Sequence, residues 1–205
     1  MRLKKGILIV IEGIDGSGKT TQAQILLDKL LGEGYDAVYF QEPSDSRWGK
    51  KIREKAAFQG SLSPEQELEL FQRDRRENVE KNLKPALKKK RVVILDRYYF
   101  STIAYQGVKG INPERIRVMN EEFVIKPDLV FILDIEAGKG LGRVEESRKK
   151  KDLLFEREEF LAEVRKAFRS FVGGNIFHLD GENSRDHIGK RIEEIVLDYI
   201  EPFKS

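Results

Sequence analysis

Short apolar, β-rich runs recur along the chain at residues 6–11, 36–40, 92–95, 129–133 and 175–179. The segments between them carry helical spacing instead. Ala23, Leu26, Leu27, Leu30 and Leu31 form one stripe, closed by Gly32 and Gly34. Ile188, Ile192, Ile195, Val196 and Tyr199 form another. Apolar positions three and four apart place such residues on one helix face, whereas short unbroken runs suit strands buried on both sides. Strands alternating with helices predict a doubly wound α/β fold: a five-stranded parallel sheet with helices on both faces. No internal repeat, Pro/Ser-rich linker or low-complexity tract interrupts the pattern, so residues 1–205 read as a single domain.

Composition narrows the picture. The chain has 40% hydrophobic and 36% charged residues, a net charge of +3 and no cysteine. The near-balance of charge gives no global demand for a nucleic-acid partner. The lack of cysteine removes disulfides and thiolate metal sites and fits a cytoplasmic address. The opening "MRLKKGILIVIEG" places basic residues before an apolar run, but Glu12 interrupts that run too early for a secretory signal. No segment approaches the roughly 20 apolar residues that cross a bilayer, so no membrane partner is expected.

The first strand leads into "GIDGSGKTTQ". Gly13, four residues, then Gly18-Lys19-Thr20 matches the phosphate-binding loop at every specified position. Glycines let successive N–H groups turn inward around phosphate oxygens, and the following helix adds its positive end. Lys19 would reach the β- and γ-phosphates and Thr20 would offer its hydroxyl to Mg²⁺. The third run, "RVVILD", ends at Asp96, where a carboxylate can hold the Mg²⁺ shell.

The acceptor is the open question. A GTP-driven switch would carry an Asn-Lys-x-Asp guanine reader, and the chain has none. An ATPase acting on nucleic acid calls for a basic groove or a second domain. A small-molecule kinase fits better, because "DRYYFSTIAYQG" sets Arg97 at the carboxyl edge of the sheet, where such folds bind ligands. An arginine fork matches phosphate. A hydroxyl acceptor benefits from a carboxylate base, whereas a phosphate monoester is already mostly dianionic and needs cations instead. Arg97, Lys19, Arg75 and the basic stretch 143–151 supply them, which points to a monophosphate acceptor. Tyr99 and Phe100 read as core. The run 88–91 reads as a solvated helix end, and His178 and His187 as ordinary structural or surface residues.

Over nearly its whole length the chain resembles the thymidylate kinase family. The similarity is carried by "IEGIDGSGKTTQ", by "LELFQRDRRENVEKNLKPALKKKRVVILDRYYFSTIAYQG", by "KPDLVFILDI" and by "FHLDGENS". The resemblance implies a Mg²⁺-dependent kinase that moves the γ-phosphoryl of ATP directly, in line, to dTMP. It also implies a homodimer and a lid over about 138–157. ATP would lie on Gly13, Asp15, Gly16, Ser17, Gly18, Lys19, Thr20 and Thr21, with Arg143 stacking on adenine. The acceptor would lie among Asp15, Glu42, Phe71, Arg75, Arg97, Ser101, Thr102, Tyr105 and Gln106. In these roles Phe71 stacks on the base, Arg75 meets the base or its phosphate, Thr102 bonds the base edge and Tyr105 crowds the sugar 2′ position. Lys19, Arg97 and a lid arginine, Arg148, would neutralise charge during transfer, with Lys149, Lys150, Lys151 and Arg157 as lesser candidates. Residue types alone leave Phe71 as core and Arg75 as a surface ion pair equally open, since residues four apart share a helix face.

Departures from the family pattern keep alternatives in play. The usual Glu-Pro-Gly-Gly-Thr becomes "EPSDSRWGKKIR", a stiffer loop that retains Glu42, Pro43, Gly49 and Arg53. Leu154 stands where a lid arginine is usual, Asn78 replaces a frequent histidine, and "GKGLGRV" puts three glycines into a helix start, which should loosen it. The alternatives are a monophosphate kinase for another acceptor, such as dUMP or dGMP, and a weakly active nucleotide-binding paralogue.

Overall fold

The fold is that of a computed structural model describing residues 1–57, 62–144 and 151–204, and for side chains omitting also 56, 57, 144 and 151–156. Strands β1 (Ile7–Gly13), β2 (Ala37–Gln41), β3 (Val92–Asp96), β4 (Leu129–Asp134) and β5 (Ile176–Asp180) form one sheet in the order β2-β3-β1-β4-β5. Every pairing is parallel, with Ile7 opposite Val92 and Ile9 opposite Leu129. The predicted architecture is therefore the observed one, with strand ends displaced by a residue or two.

Alternation within β1 explains the two-sided core. Leu8 and Val10 point to one face, where they join Val93, Leu95, Val130 and Ile132. Ile7, Ile9 and Ile11 point to the other, with Val92, Ile94, Phe131 and Leu133. The second face is covered by α1 (Lys19–Gly32) and α9 (Arg185–Ile200), through Ala23, Leu26, Leu30, Ile188, Ile192 and Val196. Leu31 departs from its predicted stripe and is 48% exposed. The first face is covered by α3 (Pro64–Asn78), α5 (Tyr99–Val108), α6 (Pro113–Glu121) and α8 (Lys151–Arg169). Tyr99 and Phe100 are core residues stacked on one another, as expected. Burying these thirteen strand side chains on both faces, at roughly 1.5–3 kcal/mol each, makes this sheet the stiff element that fixes the site at its carboxyl edge.

α3 does not stop at Asn78. It runs through a π-helical turn, Val79–Leu83, into α4 (Lys84–Lys88). Pro85 lacks an N–H and its ring opposes the carbonyl four residues back, so widening the preceding turn lets the helix continue. Lys88, Lys89 and Lys90 then lie exposed, as a solvated helix end should. The remaining helices, α2 (Arg47–Ala57) and α7 (Ala137–Val144), flank the carboxyl edge of the sheet.

Candidate active site

Two cavities meet at that edge. One, of about 660 Å³, lies over the loop between β1 and α1 and is lined by Asp15, Gly16, Ser17, Gly18, Lys19, Thr20, Thr21, Asp96 and Arg143 among others. The second, of about 540 Å³, lies between α2, α3 and α5. Asp15, Glu42, Pro43, Arg53 and Arg97 line both.

The loop geometry follows from its glycines. Gly13, Gly16 and Gly18 sit at φ of +143°, +77° and +93°, a region that side-chain-bearing residues rarely occupy. At Gly16 a Cβ would lie 2.0 Å from the Gly140 carbonyl oxygen, so α7 rests directly on the loop backbone. The α7 glycines thus do different work: Gly140 allows that approach, while a Cβ on Gly142 would meet none of the described residues within 4 Å. Lys19 folds across the loop, donating to the Ile14 carbonyl at 2.7 Å. Burial, reinforced by the Arg97 charge, pulls the Lys19 ammonium down to about 7. A desolvated lysine over a glycine-rich loop at the start of α1 suits a polyanion.

Thr20 Oγ1 donates to Asp96 Oδ2 at 2.5 Å. Asp96 is 5% exposed and its Oδ1 is buried with no partner among the described residues. An orphaned carboxylate oxygen beside a hydroxyl fits Mg²⁺, a hard cation that takes oxygen ligands. Among the described residues no cluster of three or more His, Cys, Asp or Glu could hold a metal by itself. The cation would therefore depend on phosphate oxygens and water for the rest of its shell.

Arg97 stands at the junction. It adopts φ +68°, a strained setting for arginine, and its N–H bonds the Ile11 carbonyl at 3.0 Å. Its guanidinium donates to Ser101 Oγ at 3.0 Å, to the Gly13 carbonyl at 3.4 Å and to Asp15. Beneath it lies Glu12, fully buried, accepting from the Tyr98 and Ser101 N–H groups at 2.7 and 3.2 Å and from Ser101 Oγ at 2.6 Å. Glu12 so caps α5, whose own N-cap side chain, that of Tyr98, makes no capping bond. Burial pushes its carboxyl upward against the opposing pull of these donors. Tyr105 ties the same helix to the loop, its hydroxyl accepting from the Asp15 N–H at 3.2 Å.

The second cavity is walled by a different kind of pairing. Arg75 is 1% exposed and donates to Glu42 at 2.8 Å, to Asn120 Oδ1 at 2.6 Å and to Thr102 Oγ1 at 2.9 Å. The surface ion pair that residue types had left open for Arg75 is thus overturned: the pair is buried. Glu42 also accepts from the Asn78 amide at 3.2 Å. Burial pushes Glu42 up to about 7, against the pull of Arg75 and Asn78. Phe71, one turn before Arg75, is half-buried and lines the cavity, and Gln106, in the same wall, has a buried Oε1 with no partner among the described residues. The loop after β2 is held by Asp74, which accepts from Ser44 N–H at 2.8 Å and from the Ser44 and Ser46 hydroxyls at 2.6 Å each. A Cβ on Gly49 would lie 1.9 Å from the Ser44 carbonyl oxygen, so this loop is tightly packed despite lacking a double glycine.

All nine residues expected around an acceptor line the second cavity. The residues expected around ATP line the first, except Gly13, whose carbonyl faces Arg97. Arg148, Lys149 and Lys150, with the side chains of Lys151 and Leu154, lie outside the described residues. Arg157 is exposed on α8. Sequence reading passed over Glu12, Asp74 and Asn120, and gave Arg53 no role. Arg53 lines both cavities, donating to the Pro43 carbonyl at 2.8 Å, and its signal was its position one helical turn after Gly49.

The chain has relatives among known proteins. The thymidylate kinase family matches residues 11–192. The chain is 40% identical to a probable thymidylate kinase of Archaeoglobus fulgidus over 195 residues, 95% of this chain and 96% of that protein. It is 42% identical to a thymidylate kinase of Brachyspira hyodysenteriae, covering 90% of each chain. With a thymidylate kinase of Akkermansia muciniphila it shares 41% identity over 93% of this chain and 91% of that one.

Proposed function

The chain belongs to the thymidylate kinase family, and from that premise we propose how its two cavities divide the work. The enzyme transfers the γ-phosphoryl group of ATP to dTMP, giving dTDP and ADP. ATP occupies the cavity over residues 13–21 and dTMP the cavity between α2, α3 and α5. The observation that carries this reading is Arg97, whose guanidinium lies where the cavities join.

Two anions must approach for transfer, and cations at the junction offset their repulsion. Lys19 and Arg97 do so, and Arg148 is the proposed lid contribution. Arg97 grips the acceptor phosphate once that phosphate displaces Asp15, a carboxylate 41% exposed to solvent. The acceptor oxygen attacks the γ-phosphorus in line, the bond to the β-phosphate oxygen breaks, and ADP leaves carrying that electron pair. No general base is needed, because the acceptor phosphate is already ionised near neutral pH. Thr20 and Asp96 would hold Mg²⁺, which neutralises charge on the phosphates.

At the other end of the acceptor cavity the Arg75 charge is matched by Glu42, so Arg75 suits a neutral carbonyl better than a phosphate. We assign it to the thymine 4-oxo group, with Phe71 stacking on the ring, Thr102 and Gln106 on the base edge and Tyr105 against the sugar. Arg143, whose guanidinium lies 3.5 Å from the Gly16 and Gly181 carbonyls, is assigned to the adenine of ATP. A homodimer, expected from the family resemblance, belongs to the same reading and is checked by sedimentation. A cytoplasmic location follows from the substrates.

A panel of dTMP, dUMP, dCMP and dGMP, each incubated with ATP and Mg²⁺, tests the assignment. Highest kcat/KM with dTMP is expected. Clear preference for another acceptor, or ATP hydrolysis without a nucleoside diphosphate, would overturn it.

A further inference from the structure

Asn120 touches neither cavity, yet it is 0% exposed and both ends of its amide are committed. Its Nδ2 donates to the Ile116 carbonyl one turn back at 2.7 Å, and its Oδ1 accepts from Arg75 Nη1 at 2.6 Å. A flipped amide would set its nitrogen against a guanidinium that only donates, and its oxygen against a carbonyl that only accepts. The amide is therefore held one way round.

Arg75 is gripped from three separate elements. Glu42 comes from the loop after β2, Thr102 from α5 and Asn120 from α6, while Arg75 itself stands on α3. A planar guanidinium has five N–H groups at fixed angles. Three have partners among the described residues, each on a different nitrogen. Fixing Nε, Nη1 and Nη2 together fixes the plane, and with it the direction of the second hydrogen on each Nη of a residue that lines the acceptor cavity.

Resting on the assignment of Arg75 to the acceptor base, we propose that Asn120 is a positioning residue for base selection. By locking the Arg75 guanidinium it aims fixed N–H donors at a ring carbonyl. A 4-oxo pyrimidine then finds a donor opposite its oxygen, whereas a 4-amino pyrimidine sets donor against donor and leaves both unpaired in a buried site. Asn120 thus acts on specificity without contacting substrate. If its role were confined to bonding the Ile116 carbonyl within α6, its loss would lower stability and leave base preference alone.

Two substitutions separate these roles. Asn120→Ser withdraws the acceptor from Arg75, while its hydroxyl can still bond the Ile116 carbonyl one turn back. Asn120→Asp does the reverse, keeping an oxygen toward Arg75 and losing the donor to Ile116. The readout is the ratio of kcat/KM for dUMP to that for dCMP, which differ at ring position 4 and in the proton on N3, compared between each variant and the parent, together with thermal melting. Asn120→Ser is expected to lower the ratio about tenfold, with more of the loss in KM for dUMP than in kcat. Asn120→Asp is expected to keep the ratio within about threefold while melting lower. A serine variant that folds and selects as the parent does overturns the inference. Should the serine variant not fold, the aspartate variant decides, and loss of selection there overturns it. A parent that does not prefer dUMP over dCMP overturns the base-reading role of Arg75 itself, and this inference with it.

Discussion

Two arginine–carboxylate pairs face the acceptor cavity, and they differ in almost everything except chemistry. Arg75 and Glu42 have side chains 1% and 3% exposed, with further partners from three helices. Arg97 and Asp15 are 20% and 41% exposed, and Arg97 sits on a strained backbone turn between the cavities. A buried pair cannot open without stranding a charge, whereas a half-exposed carboxylate can yield to another anion. The first pair is suited to reading a neutral base and the second to exchanging its partner for a phosphate. Burial, rather than residue type, divides the labour.

The largest effect expected from this contrast is on stability. Arg75→Met strips Glu42 of its counter-charge and should cost about 3–5 kcal/mol at pH 8, read by denaturant titration. The cost should shrink at lower pH. Glu42 is raised to about 7 in the folded chain, so its stabilising contribution is fully present below the ordinary carboxylate range and is lost as pH rises through 7. Asp15→Asn, by contrast, should change stability by less than about 1 kcal/mol. Equal costs for the two substitutions would erase the distinction drawn above.

Catalysis should show the opposite ranking of pairs. Arg97→Met is expected to lower kcat by about 10²–10³ with little change in melting temperature, because its contribution falls on charge approaching the transition state. A loss confined to KM would make Arg97 a binding group alone.

A smaller effect concerns the donor side. The Lys19 ammonium is depressed to about 7 in the free protein, and a triphosphate needs it charged. Above pH 7 binding must take up a proton, so the Kd for ATP should weaken by up to about tenfold per pH unit, with no such trend below 7. Calorimetry across pH 6–9 reads this, and Lys19→Met should flatten the profile. The smallest expected effect separates the α7 glycines. Gly142→Ala should stabilise by about 0.5–1 kcal/mol, since the added methyl meets none of the described residues and the position is helical. Gly140→Ala should weaken ATP binding instead, because its Cβ would lie 2.7 Å from the Asp15 carbonyl oxygen.

The legible part of this molecule was what neighbours in sequence determine. Glycine spacing announced the phosphate loop, apolar runs located the sheet, and a four-residue interval put Phe71 and Arg75 on one face. The illegible part consists of long-range partners. Glu12 read as an interruption in an apolar run, because nothing local reveals that it accepts bonds from residues 98 and 101 across two paired strands. Asn120 lies 45 positions from Arg75, and Asp74 lies 30 from Ser44, so neither pairing leaves a periodic trace. The π turn before Pro85 was hidden for a different reason: proline ordinarily signals a helix end, and here the preceding turn widened to absorb it.

Side-chain NMR of arginine would put the central claim to its plainest test, by titrating the labelled protein with thymidine and then with dTMP and following the guanidinium signals of Arg75 and Arg97. Thymidine, which lacks a phosphate, is expected to shift Arg75 alone, and dTMP to shift both. An Arg97 signal that moves with thymidine, or stays still with dTMP, would contradict the claim.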